Sequence, residues 1–462
     1  MTKYDEFYSF LDNLLASFSN FMWGMPLLIL LFGGGIFFTF FCRFIPFRYF
    51  RHGIDVLLGK YDSKDDPGAI PHYQALSSAL ASTVGMGNIS GVAIAIATGG
   101  PGALFWMWLS AIVGMATKFF TCTLSIMYRG KDDQGVIQGG PMYYIEYGLG
   151  KRFKFLSVIF SAAGLFGCLV LFQANQLTQI IRDEVFHNSG VFSGDAHLGN
   201  FLVGVVMAII VASIIFGGIK RIGYVASRMV PFMVIIYMAA GIFVLVTNLS
   251  EIPGLFGLIF QDAFTGDAVL GGSLGAIMIT GIKRAAFSNE AGIGTEAMAH
   301  GAAKTKEPVR EGLVAMIGPF IDTLIVCTVT GLVILVSGAW KSGEVNGVTL
   351  TTMAFTQEMG QGGRYILMLC VLSFSVSTMI GYSYYGSKCT SYLFGSNTKK
   401  YYRIFYTLSL IIGAMVTIDM AVNFVDGMYA LMAIPTMTAT LLLAPRVMKE
   451  ARRYFATLKP TS

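Results

Sequence analysis

Two stretches of this chain place ion-ready groups inside otherwise apolar sequence. The first, Thr83-Val84-Gly85-Met86-Gly87-Asn88-Ile89-Ser90-Gly91, sets three glycines within seven residues around Asn88. The second runs from Thr280 to Gly294 and holds Lys283, Arg284, Phe287, Ser288, Asn289 and Glu290 between its glycines. Glycine costs about 1 kcal/mol per residue against alanine in a helix interior, so clustered glycines make local unwinding cheap. Unwound backbone does two kinds of chemistry. N–H groups at the start of a half-helix favour an anion such as a carboxylate, and freed carbonyls, here those of Thr83 and Val84, can hold a small cation. Asn88 has a second reading as the cap of the following half-helix. Arg284 and Glu290 read as a gate or a bracing network, since charges this dense in an apolar run demand partners.

These groups need elements to hold them. The chain has 462 residues, 55% hydrophobic and 13% charged, with a mean hydropathy of +0.65. A soluble globular chain carries roughly 25% charged residues. This one lacks the charge to cover a water-facing surface. A helix of about 20 apolar residues crosses the hydrocarbon core and satisfies its own backbone, as lipid requires. Runs of that kind predict an all-α polytopic membrane protein with about eleven spans, near 21–41, 72–100, 103–128, 154–181, 199–217, 223–248, 271–297, 312–337, 362–386, 402–419 and 421–445. The first residues lack the basic flank and cleavage site of a secretory signal, so 21–41 is expected to remain as a span.

Basic residues mark alternate connections, from Arg43, Arg48, Arg51, Lys60 and Lys64 after the first span to Arg446, Lys449, Arg452, Arg453 and Lys459 at the end. The opposite set holds only Lys3 and Lys341, beside acids that include Asp195, Glu251, Asp262, Asp267, Glu344 and Glu358. The positive-inside rule then predicts an N-terminus outside and a C-terminus in the cytoplasm of an inner-membrane protein. The net charge of +6 is therefore a topology signal and not a nucleic-acid patch. The six cysteines, with no CxxC or His-rich spacing, read as polarizable core residues.

If each glycine-loosened segment opens a five-helix unit, the units run 72–248 and 271–445, between an N-terminal segment 1–66, with its peripheral helix and cytoplasmic loop, and a basic tail 446–462. Five spans per unit invert the second against the first. Interrupted segments at corresponding places in two halves point to a transporter binding site, here one suited to a zwitterion travelling with Na⁺ or H⁺.

Gly99-Gly100-Pro101-Gly102-Ala103-Leu104-Phe105-Trp106-Met107-Trp108, leading into Met115-Ala116-Thr117-Lys118-Phe119, resembles the signature of the alanine/glycine:cation symporter family. GNISGVA at 87–93, QGGPMYYI at 138–145, QAN at 173–175, FSNEAGIGTE at 287–296 and YYG at 384–386 follow in family order, so the resemblance covers most of the chain. It implies a leucine-transporter-like 5+5 inverted repeat with one peripheral helix, and Na⁺- or H⁺-driven uptake of alanine, glycine or similar amino acids without any other cofactor. It leaves the oligomeric state open. By the same resemblance, Gly85, Met86, Gly87 and Asn88 meet the substrate carboxylate, Gln173 the amino group, and Phe287, Ser288 and Tyr382 line the site. Ser377 and Thr378 resemble the hydroxyl pair that completes a sodium site with Thr83 and Val84. Hydroxyls bonded back to helix carbonyls are the alternative for that pair, and interhelical hydrogen bonding is the alternative for Gln173. Three positions depart from the family pattern: Tyr382 stands for Trp, Thr121 for Glu, and Met86 for the Thr of some relatives.

Two rival classes find little support. An enzyme would need a nucleophile with its base or a metal cluster, and no HExxH, GxSxG or GxxxxGK[ST] string occurs. A channel would line a pore with oligomeric rings of carbonyls or charges, whereas breaks in two inverted units suit alternating access.

Overall fold

A computed structural model describes residues 3–63, 65–187, 192, 196–265, 274–343 and 345–458. Lys64, Asp195, Asp267, Glu344 and Lys459, and the expected start of the second unit at 271, lie outside the described residues.

Helix dominates, as the apolar runs require. In chain order the main helices are α1 Lys3–Met22, α2 Met25–Phe41, α3 Phe50–Leu57, α4 His72–Thr83, α5 Gly87–Gly99, α6 Gly102–Met127, α7 Lys151–Phe186, α8 Ala196–Ile215, α9 Gly218–Thr247, α10 Ile252–Thr265, α11 Leu274–Asn289, α12 Glu296–His300, α13 Pro308–Ser337, α14 Gly347–Phe394, α15 Lys399–Met415 and α16 Ile418–Thr457. Among the described residues, seven helices are long and apolar enough to cross a membrane, or up to nine if α1–α2 and α4–α5, bent by 49° and 50°, each count as one span. A two-stranded hairpin, Gly130–Lys131 with Ile137–Gln138, follows α6.

Several element bounds differ from expectation. The run expected to start at 21 is preceded by a full helix, α1, whose Ser19 is fully buried and whose Phe18 packs on Gly427 of α16. Helix α16 continues past 445 to Thr457, so most of the basic tail is the end of a helix. Helix α14 starts at Gly347 and bends at Gly360 (φ 63°), a conformation glycine adopts at little cost. Helix α10 escaped the sequence reading because its 14 residues are too few to span.

The connections sort to two ends. Arg129 binds carbonyls at Pro67, Gly301, Ala303 and Thr305; Lys399 pairs with Asp132 at 3.0 Å, Arg446 donates to the Gly148 carbonyl, and Arg453 pairs with Glu307. All these are connections rich in Lys and Arg, and they share one end, the basic face. At the other end Asn248 meets Glu358 at 2.7 Å and Arg364 pairs with Glu184. Along α8 and α9, Val206, Ile209, Phe232, Ile235, Phe243 and Val246 are exposed, a surface that only lipid covers without penalty.

Candidate functional site

The first glycine-loosened stretch is a real break. Helix α4 ends at Thr83; Val84 is extended (φ −74°, ψ 93°), and the chain re-enters helix at Gly87 through a π-turn. Asn88 closes the break backwards. Its Oδ1 accepts from Gly85 N at 2.8 Å, and its backbone N donates to Gly85 O at 3.1 Å. Asn88 thus stabilises the unwound turn instead of capping the next half-helix, and its Nδ2 donates to Asp322 Oδ1 at 2.7 Å and to the Asp322 carbonyl at 3.0 Å.

The second stretch breaks too. Helix α11 stops at Asn289, whose Oδ1 accepts from Ala291 N at 3.0 Å. Glu290, Gly292 and Gly294 all have positive φ (58°, 87° and 95°). A left-handed residue other than glycine costs about 1–2 kcal/mol, so Glu290 is held there by its side chain. Thr295 Oγ1 donates to Glu290 Oε2, and the Tyr382 hydroxyl donates to Glu290 Oε1. Tyr382 in turn bonds the Tyr429 hydroxyl.

The two breaks touch. A Cβ on Gly87 would stand 3.2 Å from Ser288 Cα and 3.4 Å from the Phe287 ring. Phe287 also meets Phe172 edge-to-face at 5.2 Å and Tyr429 at 5.8 Å. Ser288 Oγ donates to Asp322 Oδ2 at 2.8 Å, so Asn88 and Ser288 share one carboxylate. Thr378 sits against the first break, where a Cβ on Gly85 would come within 2.2 Å of its Oγ1. Ser377 and Thr378 each donate to the Phe374 carbonyl at 2.9 Å. Each donated proton leaves the hydroxyl lone pairs free, so this back-bonding is compatible with a cation ligand. Thr83 donates likewise to Ala79 O at 3.2 Å, and Thr83, Val84, Ser377 and Thr378 are all buried. Carbonyls and neutral hydroxyls are what a hard monovalent cation takes.

Gln173 on α7 is 6% exposed, and its amide makes no hydrogen bond among the described residues. Neighbouring Phe172, on the same helix, packs on Phe287 of the second break. A buried amide costs free energy until something pairs with it. Asn175 is different: its Nδ2 donates to Val416 O at 2.6 Å.

Arg284 and Glu290 do not pair. The helix ends at Asn289 between them, and the left-handed Glu290 turns its carboxylate to Thr295 and Tyr382. Arg284 and Lys283 instead share Asp426 of α16, Lys283 at 2.9 Å, while Trp23 Nε1 donates to the Asp426 carbonyl at 2.9 Å. The bracing network is therefore two networks, one on Asp426 and one on Glu290. Sequence reasoning missed Asp322, Asp426 and Tyr429. A signal existed for the two acids, each a charge in an apolar run. Thr121, in place of the family's Glu, donates to Glu296 Oε1 at 3.0 Å, where a carboxylate would repel.

Mid-span breaks on two helices that abut around uncommitted polar groups define a secondary transporter of the broken-helix type. A solved transporter, MhsT in complex with L-phenylalanine, shares this fold at a TM-score of 0.58 and 14% identity, over 83% of this chain and 98% of that one. The sodium:alanine symporter family matches residues 8–461, and this chain belongs to it. Its relatives include sodium/alanine symporter AgcS of Methanococcus maripaludis, 39% identical over 96% of this chain and 97% of that protein. The probable sodium/glutamine symporter GlnT of Bacillus subtilis is 33% identical over 96% and 91%. The amino-acid carrier protein AlsT of the same organism is 34% identical over 96% and 92%. The chain is a multi-pass membrane protein of an amino-acid symporter family, and not an enzyme.

Proposed function

We propose that this protein is a secondary active symporter that couples inward Na⁺ movement to uptake of small neutral amino acids such as alanine or glycine, by alternating access between two inverted five-helix units, 72–248 and 271–445. The observation that carries the reading is the meeting of both helix breaks: Gly87 stands against Ser288, and Thr378 against Gly85. The substrate carboxylate lies at the turn of Gly85 to Asn88, on the N–H groups of Met86 and Gly87, since those of Gly85 and Asn88 are taken within the turn; the amino group lies on Gln173, and Phe287, Ser288 and Tyr382 close the pocket. Na⁺ takes the Thr83 and Val84 carbonyls and the Ser377 and Thr378 hydroxyls. Glu290 and the Arg284–Asp426 pair brace the second break. The printed names of AgcS and GlnT, one an alanine and the other a probable glutamine symporter with sodium, support this class of solute and ion. The basic face is cytoplasmic, by the distribution of Lys and Arg; the N-terminus then lies outside.

The test is radiolabelled uptake into proteoliposomes with a panel of amino acids, with and without an imposed Na⁺ gradient. Concentrative uptake that needs Na⁺, and a raised half-saturating Na⁺ concentration in Thr378→Ala, are expected. Uptake that only equilibrates would mean a channel, and uptake driven equally by a proton gradient in Na⁺-free buffer would mean H⁺ coupling.

A further inference from the structure

The chain before α4 and the chain after α12 are zipped together at the basic face. Ala69 N donates to Ala302 O at 2.8 Å, Lys304 N to Ile70 O at 2.7 Å and Thr305 N to Pro67 O at 3.1 Å. Gly68 (φ 140°) belongs to this seam, and a Cβ there would stand 2.2 Å from Ala303 O. Arg129, just past α6, straps both sides with one guanidinium, at 3.0 Å to Gly301 O, 3.1 Å to Pro67 O and 3.2 Å to Thr305 O.

One layer deeper, Glu311 of α13 holds two histidines. Its Oε2 bonds His72 Nδ1, the first residue of α4, and its Oε1 bonds His300 Nδ1 at 2.5 Å, the last residue of α12. One carboxylate therefore ties the basic-face halves of both broken helices. His72 is 1% exposed and the other two fully buried. Well-packed apolar residues would stabilise such a position equally well or better, so stability alone does not explain three ionisable groups here. A route for protons exists: His72 Nε2 lies 3.9 Å from Asp62 Oδ1, whose side chain is 40% exposed. The other ionisable groups facing the cluster are Arg310 toward His72, Glu296 toward His300, and Arg129 and the Cys122 thiol toward Glu311.

We infer that Glu311, His72 and His300 form the latch that closes the transport pathway at the basic face, and that the pH of that side sets its strength; the inference rests on the alternating-access reading above. Opening toward that face must part α4 from α12, and both are pinned to the same side chain. Protonating an imidazole turns its hydrogen bond to Glu311 into an ion pair, which is stronger. Acid on that side tightens the latch and slows release. These are positioning residues: none touches the proposed substrate site.

Cys122 reports on the latch directly, because its buried thiol packs with Ala297 of α12 and Ala315 of α13. The full-length protein in proteoliposomes is treated with N-ethylmaleimide, and Cys122 modification is followed by peptide mass spectrometry, normalised at each pH to the urea-unfolded chain. Glu311→Gln should speed labelling about tenfold, the shift expected from weakening one charge-assisted bond. Arg129→Gln, on the outer strap, should act in the same direction. In the wild type, protection should fall as pH rises between about 6 and 8. The double variant His72→Asn/His300→Asn keeps a donor at each Nδ1 position but does not titrate, so its profile should be flat. Wild-type protection in both Glu311→Gln and Arg129→Gln, or a wild-type pH slope in the double variant, would overturn the latch. Labelling needs no amino acid, so a failure of uptake would sink the symport reading and leave this result standing.

Discussion

Gly85→Ala strikes the proposed cation site at its tightest point. The new Cβ would stand 2.2 Å from Thr378 Oγ1 and 3.4 Å from Thr378 Cβ. Ordinary contacts begin near about 3.5 Å, so the hydroxyl has to swing away. It then loses its 2.9 Å bond to the Phe374 carbonyl, a loss of about 1 kcal/mol. Overpacking adds about 1–3 kcal/mol. Folding stability falls by about 2–4 kcal/mol, and Na⁺ must bring the hydroxyl back against the overpacking of about 1–3 kcal/mol, at least about fivefold in the Na⁺ concentration that half-saturates uptake. The assay is Na⁺-dependent amino-acid uptake in proteoliposomes, run on Gly85→Ala, Thr378→Ala and the double variant. Thr378→Ala removes the atom that clashes, so Gly85→Ala should cost little in that background and the pair should couple by about 2 kcal/mol. If the two effects simply add, or if Gly85→Ala leaves the Na⁺ dependence unchanged, Thr378 is not a cation ligand beside Gly85.

Gln173→Ala should raise the KM for the amino acid about tenfold without lowering the melting temperature, since no internal hydrogen bond is lost; a large drop in melting temperature would assign Gln173 to the scaffold. Tyr382→Phe takes a donor from Glu290 while that residue holds a positive φ, so thermal melts should show a loss of about 1–3 kcal/mol; an unchanged melt would show that Glu290 does not depend on it. In the hairpin after α6, burial pushes the Asp132 carboxyl up, but Lys399, the Val136 N–H and the Gln138 amide outweigh burial and hold it down at about 2. Its folded pKa is below the unfolded value of about 3.9, so its contribution is complete above that pH and fades only as pH falls toward 2. Asp132→Asn should therefore lower the melting temperature by the same amount at about pH 5 and pH 8; a difference between them would contradict this assignment.

Much of the architecture was legible because its signals are local. Helix α6 occupies Gly102–Met127 where the apolar run gave 103–128, and the breaks fall at 84–86 and 290–294, inside the glycine clusters. Chemistry that depends on how one helix is rotated against another was not legible. The network expected between Arg284 and Glu290 splits in two because the helix ends between them and the left-handed Glu290 faces Thr295 and Tyr382 instead. Asp322 was passed over as one acid in an apolar run, although it takes hydrogen bonds from both breaks. Tyr382 is visible in the sequence as a departure from the family pattern, but not the partner of its hydroxyl, which anchors the strained Glu290.

By itself the sequence determined the solvent, the places where helix gives way and the family. Each follows from composition or from residues adjacent in the chain: too few charges for water, glycines that do not hold a helix, and a long specific motif. Tertiary structure alone decided the partners: Asn88 with Asp322, 234 residues away, and His72 with Glu311, 239 residues away. Which side chains meet depends on the rotation and depth of each helix. Close approaches such as Gly85 on Thr378 and Gly281 on Ala103 set both, and no window along the chain contains the two sides of such a contact.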